Sequence, residues 1–180
     1  MAKGNWRHFE QGLSKFIATM MRLLLPLTVI VLAIYLVAIP FYFSAPLENQ
    51  DVLIVYNLML FAVVGLLIGA LPIRGGDLSP DLQRALRIGI VAVAGLAVPV
   101  SLHALAAVVY RTFQGELTPN RLTVIGWNSI NIGILVSLIV TQIRAGREGW
   151  VEALQGAFGR AANAYLAWGL LLLIAVPIVF

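Results

Sequence analysis

Residues 88–110 read IGIVAVAGLAVPVSLHALAAVVY, an unbroken run without one Asp, Glu, Lys or Arg. A bilayer core of about 30 Å is crossed by about 20 apolar residues rising 1.5 Å each. This stretch is therefore long enough to form a transmembrane helix by itself. Similar stretches lie on both sides of it, at about Leu23–Ser44, Val52–Ile73, Leu122–Ile143 and Ala161–Phe180. None of the five contains a charged side chain, and all 12 basic and 8 acidic residues fall in tails and connections. Charge at membrane depth is expensive, and this is the distribution that cost produces. The composition agrees. Of 180 residues, 61% are hydrophobic and 11% charged, whereas soluble chains average about 45–50% and about 25%. A soluble fold has too few charges here to cover its apolar surface. The sequence predicts an all-α polytopic bundle. Residues 1–22 form a cytoplasmic interfacial amphipathic helix, and residues 23–180 form one transmembrane domain of five spans.

Basic residues in short loops set the orientation. Lys3, Arg7, Lys15 and Arg22 precede the first span, Arg74, Arg84 and Arg87 join the second to the third, and Arg144, Arg147 and Arg160 join the fourth to the fifth. The opposite side carries only Arg111 and Arg121. The N-terminus is expected in the cytoplasm and the C-terminus outside, in a bacterial inner membrane. The first apolar run exceeds the 7–15 residues of a secretory signal and no A-x-A-like site follows, so it reads as an uncleaved span. The sequence ends on Ile174-Ala175-Val176-Pro177-Ile178-Val179-Phe180. That end is either natural or the mark of a shortened chain.

In the N-terminal segment Trp6, Phe9, Leu13, Phe16 and Met20 recur at steps of three and four. This is the pattern of a helix lying in the headgroup plane. Trp150, Leu154 and Phe158 repeat it between Arg147 and Arg160. Such faces dock on the protein's own helices or hold lipid or a partner. The expected membrane anchors are Trp6, Lys15, Arg22, Arg111, Arg121 and Trp150. Gly75-Gly76 suits a helix end, and Ser79-Pro80 and Thr118-Pro119 suit helix starts. Gly65 and Gly69 form a Gly-x-x-x-Gly pair that allows close helix approach. Pro26, Pro40 and Pro99 predict kinks.

Any chemistry at membrane depth must come from neutral groups. Counted inward from Arg111, His103 lies about 12 Å deep; Asn128 and Asn131 lie about 10 and 15 Å below Arg121, and Asn57 about 9 Å below Asp51. Asn57, His103, Asn128 and Asn131 thus share the outer half of three spans, and Asn128 and Asn131 share one helix face. Three readings fit. The cluster is interhelical glue, a small-ligand or transport site, or a place where His103 alone ligates a metal-centred pigment such as a chlorophyll. A bis-histidine haem is excluded within the chain, because His8, the other histidine, lies in the N-terminal tail.

Other chemistries find little support. The chain has no cysteine, which excludes disulfides, zinc-thiolate sites and iron–sulfur clusters. No acid at membrane depth completes a Ser–His–acid set or couples to ions, and neither a zincin helix nor a phosphate-binding Walker loop is present. No metal site and no nucleic-acid-binding face are expected.

One turn carries a resemblance. Tyr110-Arg111, Gly115, Leu117-Thr118-Pro119-Asn120-Arg121 and Gly126-Trp127-Asn128 resemble a motif of a bacterial polytopic membrane-protein family without established activity. The match covers fewer than 20 residues and departs from the pattern at Glu116, which separates Gly115 from Leu117. The resemblance implies a shortened relative and supports topology; it implies no chemistry. The expected function is that of a non-enzymatic accessory or scaffold subunit, with the lipid bilayer and other membrane subunits as partners.

Overall fold

The computed structural model describes residues 2–70, 80–145 and 149–180, and side chains for 19–20, 22–70, 80–145, 149–178 and 180. Among these the protein is built of helices: α1 (Ala2–Ala38), α2 (Ala45–Glu48), α3 (Gln50–Gly69), α4 (Pro80–Gln114), α5 (Pro119–Arg144) and α6 (Trp150–Val179). Four of them, α3 to α6, are long and apolar enough to cross a membrane, and the apolar section of α1, Arg22–Ala38, is shorter. The segment expected as a separate interfacial helix over residues 1–22 continues into the first apolar stretch, since α1 is one helix from Ala2 to Ala38. Trp6 and Lys15 lie outside the residues whose side chains are described, as do Gly75, Gly76 and Ser79 outside the described chain.

The first apolar helix ends earlier than Ser44. Pro40 disfavours helical angles at the residue before it, and α1 stops at Ala38. Phe41 and Tyr42 then donate their backbone N–H to the Ala38 carbonyl in a turn. Pro40 therefore terminates a helix, whereas Pro26 and Pro99 are carried inside α1 and α4. The turn exposes Phe41, Tyr42 and Phe43, aromatic side chains of the kind that collect at membrane–water boundaries. Asn49 caps α3 by accepting from the Asp51 N–H at 2.8 Å. Thr118 caps α5 by accepting from the Arg121 N–H, with Pro119 in the first turn.

α4 is the hub. It packs against α1, α2, α3 and α5, while α6 packs on α5. The inward face of α4 carries Ala94, Ala97, Ser101, Ala104 and Ala107, all fully buried. Small side chains at steps of three and four let neighbouring backbones come close, which matters where helix contact rests on van der Waals packing. Among the described residues Gly65 of the Gly-x-x-x-Gly pair faces open space, so it mediates no close approach to them. The close-approach glycine is Gly126 on α5, where a Cβ would overlap the Trp168 ring of α6.

Candidate functional site

The polar residues at depth divide into two groups. Asn57 of α3 donates to the Leu53 carbonyl at 2.8 Å, one turn back along its own helix. That bond turns its Oδ1 toward α5, where it accepts from Asn128 Nδ2 at 2.6 Å. One turn along α5, Asn131 accepts a hydrogen bond from the Tyr165 hydroxyl of α6. Asn128 and Asn131 are almost fully buried. Trp127 fills the space alongside, its ring 5.7 Å from Phe61 and 4.9 Å from Tyr165. Two amides on one face of α5 thus tie α3 on one side and α6 on the other.

His103 stands apart from this ladder. Its ring is 8% exposed and sits among aromatics, 4.9 Å from Phe43 and 6.0 Å from Tyr56. Tyr56 in turn meets Tyr35 edge-on at 5.4 Å. The histidine therefore joins the α1–α2 turn, α3 and α4 through ring packing. Its Nε2 is buried without a hydrogen-bond partner. Among the described residues no group of three or more His, Cys, Asp or Glu could hold a metal ion.

The two ends of the helix cluster hold the arginines. At one end Arg121 Nη1 donates to the carbonyls of Arg111 and Glu116, at 3.0 and 2.8 Å. It thereby closes the α4–α5 turn and ties down the end of α4. Gly115 leaves room for it, because a Cβ there would lie 3.0 Å from Arg121 Nη1. At the other end Arg87 Nη2 donates to the carbonyls of Gln142 and Ala145. These are in the last turn of α5 and at its C-cap, where the helix dipole favours a cation. Gln142 is itself buried and donates to the Trp150 carbonyl at 3.1 Å. Trp150, expected as an interfacial anchor, is 3% exposed. It is a core residue, because Leu154 and Ala157 on the same face carry it into the packing.

Sequence reasoning placed Asn57, Asn128 and Asn131 at a shared depth, and they do line one ladder. It missed Tyr165, Trp127, the Arg87–Gln142–Trp150 junction and the fit of Trp168 on Gly126. The depth count would not have found Tyr165, which lies about 22 Å from the Phe180 end against about 15 Å for Asn131, and the others depend on how each helix is rotated. Compared with protein-family models, curated proteins and solved structures, the chain matches none.

Proposed function

We propose that this is a five-span protein of a bacterial inner membrane, with its N-terminus in the cytoplasm and its C-terminus outside. In this reading it serves as a non-catalytic accessory or scaffold subunit of a larger membrane assembly. The observation that carries the functional reading is the amide ladder, in which Asn128 meets Asn57 and Asn131 meets Tyr165. Hydrogen bonds of this kind between membrane helices contribute about 0.6–2 kcal/mol each, and here they join α3, α5 and α6. One polar atom of each α5 amide is engaged in holding helices together, while Asn128 Oδ1 and Asn131 Nδ2 are buried with no hydrogen-bond partner. The reading as a fifth span is supported by Arg22–Ala38, about 25 Å of apolar helix continuing from a helical segment that begins at Ala2. The one-sided distribution of basic residues supports the orientation. Kinship with the family sharing the Leu117–Arg121 turn belongs to the same proposal.

The test is purification of a tagged full-length chain in mild detergent, followed by mass spectrometry of what accompanies it. A stoichiometric set of membrane subunits is expected. Recovery of the free monomer alone, under conditions that keep known assemblies intact, would overturn the proposal.

A further inference from the structure

Arg111 and Arg121 stand side by side between two clefts. The one on the α2 side is lined by Ser44, Glu48 and Gln114 and carries a carboxylate. The other is a groove of about 540 Å³ between α3, α4 and α5, and its described lining contains both arginines and no carboxylate. Arg121 uses Nη1 on two carbonyls, and Arg111 Nη1 is buried with no hydrogen-bond partner. That nitrogen is closed off from the groove, so a ligand there would meet the remaining N–H groups of the two half-exposed arginines, and charge-assisted bonds to a phosphate are among the strongest such groups make.

Below the arginines the groove changes character. Leu53, Ile54, Leu58, Val108 and Val124 line it there, with Asn57 as the one polar side chain among them. Ile54 and Leu58 are 54% and 67% exposed, so the groove opens sideways, toward the volume that bilayer hydrocarbon would fill. Gln50 and Asn120 lie at its polar end and offer neutral hydrogen bonds beside the cations.

The geometry points to a binding site for one anionic glycerophospholipid, with its phosphate on Arg111 and Arg121 and one acyl chain along the Leu53–Leu58 side of the groove. The paired cations without a lining carboxylate select a net negative headgroup over a zwitterionic one. The apolar lower half selects a lipid over free phosphate. This inference rests on the helices crossing a membrane and is independent of the scaffold role. A chain that purified as a monomer would leave it standing.

The probes are phosphatidylglycerol, phosphatidylcholine and inorganic phosphate, each titrated against the detergent-solubilised full chain. Binding is read by native mass spectrometry and by the melting temperature. Phosphatidylglycerol is expected to bind about ten-fold more tightly than phosphatidylcholine. Arg111→Gln should weaken phosphatidylglycerol by about five- to ten-fold and leave phosphatidylcholine unchanged. Ile54→Trp, which fills the groove from its exposed side, should weaken phosphatidylglycerol while the lipid-free melting temperature holds. Equal binding of the two lipids would overturn the site. So would wild-type affinity for phosphatidylglycerol in Ile54→Trp, or protection by inorganic phosphate equal to that by lipid. Should Arg111→Gln fail to fold, the lipid comparison and Ile54→Trp decide alone.

Discussion

α4 and α6 are both long apolar helices, yet 44% of the most apolar stretch of α4 is buried inside the protein and only 6% of that of α6. α4 meets its neighbours through Ala94, Ala97, Ala104 and Ala107, side chains too small to hold a helix off. In α6 the first turns are packed by Trp150, Val151, Leu154 and Ala157, and beyond Tyr165 the leucines turn outward. Leu166, Leu170, Leu173 and Ile178 are each more than half exposed. Apolarity tells a helix to leave water. On α4 the small side chains let neighbouring helices cover it, whereas the outward leucines of α6 are left uncovered by the protein.

This contrast can be broken most forcefully at Ala97. A phenylalanine there has no space on any side, and Ala97→Phe should cost about 3 kcal/mol or more, read as loss of the folded fraction in detergent melts. Leu171→Phe, an equally large aromatic on the half-exposed face of α6, should stay within about 0.5 kcal/mol of wild type. If the two melted alike, the distinction between hub and periphery would be lost.

Gly126 tests a place where α6 docks closely on α5. Gly126→Ala drives a methyl group into the Trp168 ring and should cost about 1–3 kcal/mol. That cost is limited because α6 can swing away without disturbing α4. Trp168→Leu in the same chain should recover much of the loss in a double-mutant cycle. Strict additivity would mean that the ring and the glycine act separately.

Among the contacts of α6, the smaller effect is expected at the ladder. Tyr165→Phe removes the donor to Asn131 and keeps the ring against Trp127. A loss of about 0.6–1.7 kcal/mol is expected, accompanied by easier proteolysis of α6 and by no change in α3. A loss spread evenly over all helices would show that α6 is no more separable than α4.

Much of this arrangement was legible beforehand, for identifiable reasons. Exclusion of charge is a property of each stretch alone, so the apolar helices around Ile88–Tyr110 and Leu122–Ile143 could be read without any partner. The start of α5 was equally local, because Thr118 and Pro119 need only their own next turn. Depth along a helix is also local, and it put Asn57 and Asn128 at one level. Rotation about the helix axis is not local. Trp150 looked like an anchor until α5 was seen beside it, and Gly126 carries no mark that distinguishes it from Gly65. Pro40 was read as a kink because a proline inside an apolar run leaves two outcomes open. The turn through Phe41 and Tyr42 selected the other one.

The two arginine contacts of the α4–α5 pair sit at opposite ends of it. Arg87 reaches 55 residues forward to Gln142, and Arg121 reaches ten back to Arg111. Each grips a carbonyl of the other helix near its terminus. A hairpin fastened in this way is a rigid stave: sliding one helix past the other by a turn, about 5.4 Å, would break the contacts of Arg87 with α5 and of Arg121 with the end of α4 at once. Rearrangement elsewhere in the bundle must therefore work by tilting or rolling the remaining helices against this pair, with α4 and α5 moving as a single body.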